Sequence, residues 1–389
     1  MIFKQITKTV WTLSLISLFT DAASEMLYPI MPIYLKSIGF SIVLIGILEG
    51  FAEATAGLSK GYFGKLSDHS GKRVPFVQFG YALSAISKPM MAVFIYPLWI
   101  FFARTIDRIG KGIRSGARDA ILSDEATKET KGKIFGFHRS MDTFGAVIGP
   151  AFALLYLLFY PEDYITLFYI AFIPGLFAVI ACFLLKEKNV KIENKKDRPS
   201  FFSFLNYWKE SPALYRKVVF GLLAFALLNS SDVFLLLKAK QAGLSDTEVI
   251  GIYIFYNLVY ALTAFQIGII ADKIGLRKMF CIGLSIFACV YLGMSYATHL
   301  YTFIGLFFLY GIYASSTEGI SKAWISNITE QKDTATAIGT YSGFQTLCAL
   351  FASSIAGLIW YFLGAGATFL ITGIGALSIV IYFTVWLKE

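Results

Sequence analysis

Charge is scarce in this chain. Only 15% of its 389 residues are Asp, Glu, Lys or Arg, and mean hydropathy is +0.65. Soluble domains carry about 25% charged residues, and a disordered chain needs high net charge with low hydrophobicity, so neither class fits. Histidine occurs only at His69, His138 and His299, and cysteine only at Cys182, Cys281, Cys289 and Cys348, each cysteine inside an apolar run. These positions have no metal-ligand spacing and imply no disulfide framework. No glycine-rich phosphate loop occurs, which argues against an ATP motor. No nucleophile–base triad can be assembled from spacing, which argues against a hydrolytic enzyme. No cofactor is expected. Lys4 and Lys8 precede an apolar run, but no small-residue cleavage site leads into a soluble region, so this segment reads as an uncleaved first span.

Apolar surface is what the chain has in excess: 57% of residues are hydrophobic and 17% aromatic. Soluble cores stop growing beyond about 250–300 residues, so the simplest solvent for this surface is lipid. A spanning helix needs about 20 mostly apolar residues. Twelve stretches qualify: 9–35, 42–66, 74–94, 96–122, 133–159, 164–186, 216–238, 247–271, 279–298, 300–328, 334–362 and 366–387. Between the sixth and seventh lies a polar stretch containing KEKNVKIENKKDRPS, with nine Lys or Arg against four acids over 186–217. The expected fold is therefore an all-α membrane protein with twelve transmembrane helices in two pseudo-symmetric six-helix bundles. The expected domains are 1–186, a linker at 187–215, and 216–389.

The net charge of +9 reads as Lys and Arg retained on the cytoplasmic side, not as a nucleic-acid surface. The 60–73 and 272–278 connections are basic, whereas 94–97 and 363–366 carry no charge and 160–163 has only acids. With an even number of spans, both termini are expected in the cytoplasm of a multi-pass inner-membrane protein, a monomer surrounded by lipid.

The chain also repeats. A shift of 204 residues aligns Gly39 with Gly243, Gly64 with Gly268, Asp68 with Asp272, Gly71 with Gly275 and Arg73 with Arg277. A shift of 203 aligns Gly116 with Gly319, Ser123 with Ser326, Gly136 with Gly339 and Thr143 with Thr346. A register that holds across five spans implies duplication, with a cavity expected between the bundles near the midplane.

The connection GKLSDHSGKR (64–73) returns after the eighth span as GIIADKIGLRK (268–278). An aspartate at a helix end can accept from the free N–H groups of a neighbouring helix or pair with Arg, forming a latch. On these residues the chain resembles the major facilitator superfamily of secondary transporters, over essentially its whole length. The first copy departs from the family pattern at His69. The resemblance implies rocker-switch alternating access, with Gly64, Asp68, Gly71, Arg73, Gly268, Asp272, Gly275 and Arg277 at the gates. Span four resembles the family's Arg-bearing motif at Arg108, with Lys111 in place of the usual polar residue and Arg114 in place of a small one. Span five resembles the antiporter signature at Gly136, Gly145, Gly149 and Pro150, with Ala153 and Leu154 replacing its closing glycine pair. That likeness tilts the expectation toward export by exchange.

Ionisable residues within spans usually face a cavity or one another. Span one has Asp21 and Glu25, four apart on one face. Span four carries Arg104, Asp107, Arg108, Lys111, Arg114 and Arg118 along one stripe, followed by Asp119; span five carries His138, Arg139 and Asp142. Near-neutral balance implies ion pairing, with Arg118, Asp119, Arg139 and Asp142 the structural candidates. Asp21, Glu25, Asp232 and Glu318 are the candidate proton carriers. Tyr28, Arg108, Lys111, Asn229, Lys322, Trp324 and Gln345 are the candidate solute contacts, since guanidinium grips carboxylate or phosphate with two prongs. Pro29 and Pro32 are expected to bend span one, and Gly145, Gly149 and Pro150 to bend or thin span five.

These residues point to secondary transport of a small anionic or zwitterionic organic solute, coupled to protons and more in keeping with export. Uptake of a polycarboxylate or metal chelate, coupled to protons or sodium, is the alternative. A passive channel or a polytopic enzyme is the rival class, disfavoured by the paired gate motifs and the missing catalytic constellation.

Overall fold

Lipid offers a peptide group no hydrogen bond, so a spanning segment must satisfy its own backbone. The computed structural model describes residues 6–28, 30–31, 34–35, 38–187 and 199–387, and among them there is helix and no strand. Pro29, Pro32 and linker residues 188–198 lie outside the described residues.

The helices, in chain order, are α1 (Lys8–Leu27), α2 (Ile42–Ser70), α3 (Val74–Val93), α4 (Pro97–Asp124), α5 (Lys131–Phe159) and α6 (Tyr164–Cys182). They are followed by α7 (Ala213–Ala226), α8 (Val233–Gln241), α9 (Asp246–Ile274), α10 (Leu276–Tyr296), α11 (Leu300–Asn327) and α12 (Thr334–Ile381). Span seven is divided between α7 and α8. Two spans run together in α12, separated at Gly364, whose φ of 84° is non-helical.

Six runs among the described residues are apolar and long enough to cross a membrane on those grounds alone: α5, α6, α9 from Glu248, α10, α11 and 331–386. The fourth span falls outside that set because α4 carries the charged stripe, and the seventh because α7 and α8 are 14 and 9 residues long.

Local chemistry sets the helix ends. Ser245 and Glu248 form a reciprocal capping box at the start of α9. Asp163 caps α6, accepting from Thr166 N (3.2 Å), with the Tyr156 hydroxyl donating to its other oxygen (2.8 Å). Hydrogen bonds from Thr166 and Tyr156 hold the Asp163 carboxyl below the usual carboxylate range.

One expectation is corrected. The seventh span, read as continuous over 216–238, breaks between Ala226 and Val233. Its residues Asn229, Ser230, Ser231 and Asp232 offer the backbone competing partners. The carbonyl of Phe225 accepts from both Leu228 N (2.8 Å) and Asn229 N (3.0 Å), and Ser231 N turns to Ser353 Oγ (3.0 Å). By contrast, α5 continues unbroken through Pro150.

The described residues form two compact units. The first comprises 1–126, 141–210 and 329–343; the second comprises 127–140, 211–328 and 344–389. Within the first, α4 packs on both α2 and α3; within the second, α11 packs on both α9 and α10, the same pairs by the repeat register. Turn geometry follows the same register. Gly71 and Gly275 have φ of 63° and 100°, and Gly39 and Gly243 have φ of 91° and 96°, a region that glycine enters without a Cβ penalty.

Small residues bring backbones together where no hydrophobic drive exists between helices in lipid. A Cβ on Gly145 of α5 would meet Ala22 N of α1 at 2.9 Å and Asp21 Cβ at 3.0 Å, and one on Gly149 would meet Met26 N at 2.8 Å. Gly145→Val should therefore separate α1 from α5 and cost about 1–3 kcal/mol. Gly251→Ala, inside α9 where the added Cβ meets nothing within 4 Å, should raise stability by up to about 1 kcal/mol. Thermal unfolding of the purified variants in detergent checks both.

Candidate transport site

Within the first unit, α1 and α4 bring opposite charges to one region. Asp21 lies in electrostatic range of Glu25, Lys111 and the α5 residue Asp142; Glu25 lies in range of Lys111, Arg108, Arg104 and Asp142. Asp21 and Glu25 are half-buried, Arg108 is buried, and Lys111 is exposed. Tyr28 caps the end of α1 with its ring exposed. The helical spacing of Asp21 with Glu25, and of Arg104, Arg108 and Lys111, puts each set on one face.

Below this cluster a second chain of contacts ties α4 to α1 and α5. Arg118 Nε donates to Asp119 Oδ1 at 3.0 Å and Nη1 reaches Ser17 Oγ at 3.4 Å, while the Ser17 hydroxyl donates to Asp142. Arg118, Asp119 and Asp142 are all buried. Arg139, expected in this group, instead lies in the second unit. There its Nη2 meets Glu318 Oε2 at 2.9 Å and its Nε donates to the Tyr260 hydroxyl at 2.5 Å.

A third network joins α3 to α4. Lys88 Nζ lies 2.7 Å from Asp107 Oδ1, and Arg104 Nη1 lies 3.8 Å from Asp107 Oδ2. Arg114 donates to Ser84 Oγ at 2.5 Å and its guanidinium sits 4.5 Å from the Tyr81 ring centre. Lys88 is 2% exposed. Sequence reasoning passed over it because the third span otherwise reads as uncharged. A lone lysine beside Pro89, in the middle of an apolar run, was the available signal.

The two turn motifs have helix ends as their targets. Asp68 Oδ2 accepts from Thr336 N (2.6 Å) and Thr336 Oγ1 (2.8 Å), in the first turn of α12. Asp272 accepts from Gly132 N (2.7 Å) and Lys133 N (2.8 Å), in the first turn of α5. Each carboxylate thus meets free N–H groups at the positive end of a helix dipole. The neighbouring arginines differ. Arg73 pairs with Asp124, lies 3.4 Å from Asp68 and donates to Gln331 O at 2.9 Å. Arg277 donates to the carbonyls of Phe383 and Thr384 at the end of the chain. Close packing accompanies the latches: a Cβ on Gly268 would strike Gly132, and one on Gly64 would strike Ala335.

In the second unit, Asp232 stands at the α7–α8 break and accepts from the Tyr310 hydroxyl at 2.6 Å. Asn229 is half-buried in the same break. Trp324 is buried against Phe280 and Phe383, at ring-centre distances of 6.1 and 5.4 Å. Lys322 and Gln345 are half-buried.

Paired intramembrane charges, duplicated helix-end latches and an all-helical two-unit chain define a multi-pass solute transporter rather than an enzyme. The chain belongs to the Major Facilitator Superfamily, whose family model matches residues 13–253 and 233–389. It is 32% identical over 363 residues to an uncharacterized MFS-type transporter of Methanocaldococcus jannaschii, covering 92% of this chain and 89% of that one. It is 26% identical over 212 residues to the quinolone resistance protein NorA of Staphylococcus aureus, covering 53% of each. Among solved structures it resembles the human organic anion transporter MFSD10 (TETRAN), with a TM-score of 0.79 at 15% identity over 97% of this chain and 99% of that one.

Removing one member of a buried ion pair strands the other charge, at a cost of about 3–5 kcal/mol. Lys88→Met leaves Asp107 its 3.8 Å contact with Arg104 and should therefore destabilise the protein, by less than that full amount. Lys88→Met combined with Asp107→Leu should restore more than half of the loss. Unfolding of the single and double variants in detergent checks the difference.

Proposed function

We propose that this transporter exports a small zwitterionic organic solute in exchange for protons, by alternating access, from an inner membrane with both termini in the cytoplasm. The observation that carries the reading is that Glu25 lies in electrostatic range of Arg108 and Lys111, and Asp21 in range of Lys111. The anionic end of a zwitterion suits Arg108 and Lys111. Its cationic end competes with a proton for Glu25 or Asp21. Because proton and solute cannot share that carboxylate, each crossing of one drives the return of the other. Glu318, paired with Arg139, would act as a coupled release point, since its protonation removes the charge that holds the guanidinium. The likeness to a quinolone resistance protein supports the outward direction. The basic 60–73 and 272–278 connections support the orientation.

A purely anionic solute would behave differently. It would need Asp21 and Glu25 protonated so that Arg108 and Lys111 are free, and proton and solute would then move together. That is the importer reading, for a polycarboxylate or metal chelate. It is favoured by the surplus of bases along α4, where Arg104, Arg108, Lys111, Arg114 and Arg118 outnumber Asp107, Asp119 and Asp124.

Proteoliposomes with an imposed pH gradient test the reading. Glu25→Gln should lower gradient-driven transport at least tenfold while leaving solute exchange measurable. Normal gradient-driven rates in both Glu25→Gln and Asp21→Asn would refute it. Counterflow across a panel of zwitterions and organic anions separates exchange from co-transport.

A further inference from the structure

The break between α7 and α8 falls on a polar segment. Sharp interruptions of a helix normally trace to proline, glycine or serine pairs, or an inserted group, and 227–232 reads Leu-Leu-Asn-Ser-Ser-Asp, with a serine pair and no proline or glycine. The unwinding frees oxygens. Among the described residues, the carbonyls of Leu227, Asn229 and Ser230 accept no hydrogen bond from another backbone group. Asn229 Oδ1 is buried and has no hydrogen-bond donor. Asp232 receives the Tyr310 hydroxyl at 2.6 Å, with the Tyr256 hydroxyl also in range, and no Lys, Arg or His pairs with it among the described residues. A carboxylate within a span without a cation is costly and calls for a partner. Glu318, the other acid in electrostatic range of Asp232, is engaged by Arg139.

We propose that this break is a binding site for a monovalent alkali cation, held by the Asp232 carboxylate, Asn229 Oδ1 and the carbonyls released by unwinding. The donors are all oxygens, the class that suits hard cations. The C-terminal end of α7 adds the negative pole of its dipole. One uncompensated carboxylate matches a single positive charge and leaves a divalent ion unbalanced. An organic ammonium ion would call for an open aromatic face. The tyrosines around Asp232 are buried and packed on one another, with the Tyr310 ring centre 5.0 Å from Tyr256 and 5.2 Å from Tyr313, so no ring face is open to it. Half-exposed Asp232 and exposed Ser231 leave a path for a bare ion. Broken transmembrane helices whose unwound carbonyls coordinate an ion are a physically sound arrangement for this task.

The proposal gives Asp232, expected from the sequence as a proton carrier, to a cation instead, and it leaves the proton exchange at Asp21 and Glu25 untouched. The test is thermal unfolding of the intact chain in detergent, titrated with NaCl, KCl or choline chloride at constant ionic strength. A ligand that binds only the folded state raises the midpoint saturably. The expected result is a saturable rise with sodium or potassium and none with choline. It should be abolished by Asp232→Asn, weakened at least tenfold in apparent affinity by Asn229→Ala, and retained in Glu25→Gln. Identical curves in the three salts, or an undiminished alkali effect in Asp232→Asn, would overturn the proposal. Should Asp232→Asn fail to fold, the Asn229→Ala titration decides, and unchanged affinity there overturns it.

Discussion

A hydrocarbon surround offers neither hydrogen bonds to peptide groups nor screening to charges, and each must find its partner inside the protein. The helices answer the first demand. The second shapes the first unit. Lys88 is matched to Asp107, and Arg118 to Asp119 and, through Ser17, to Asp142. Where these matches are complete they hold α1, α3, α4 and α5 in place. Where acids and bases meet half-buried and partly open, at Asp21, Glu25 and Lys111, the same demand can be met by a solute or a proton. Structure and transport therefore draw on one rule applied at different depths.

Duplication supplies a scaffold in which equivalent positions keep their geometry and change their chemistry. The Asp68 latch caps a helix 268 residues later in the chain and the Asp272 latch one 140 residues earlier, and one gains a threonine side chain where the other has only backbone N–H groups. The charges diverge further. The position equivalent to Glu25 is Asn229, and that equivalent to Tyr28 is Asp232. The first helix of each half stops near this point, α1 at Leu27 and α7 at Ala226. Equivalent stretches of chain thus carry a carboxylate–base cluster in one half and a single carboxylate among tyrosines in the other.

Much of the fold was legible in the sequence because lipid reduces the problem to length and hydropathy. The glycine and aspartate register also survived duplication, so the paired turns at Gly71 and Gly275 could be found before any coordinates. The candidate site was harder to read. That Arg139 joins Glu318 rather than the Arg118 group depends on which way α5 faces at each end, and a linear spacing cannot show two neighbourhoods along one helix. Lys88 was invisible for a related reason: a single charge has no periodicity, and its partner Asp107 lies on another helix. The α7–α8 break escaped notice because the apolar run continues on both sides of it and no proline or glycine marks it.

The composition of the two units has a consequence in time. Residues 329–343 belong to the first unit, where Thr336 satisfies Asp68 and Gln331 O receives Arg73. Domains of a chain emerging from the ribosome generally fold in order, the N-terminal one first. Here the first unit cannot close its own hydrogen bonds until nearly the whole polypeptide has been made. The α2 end must wait, with Asp68 unmet, while the second unit is synthesised and inserted. Assembly of this protein is thus completed by its late-synthesised segment, and the order of translation is not the order in which its parts become finished.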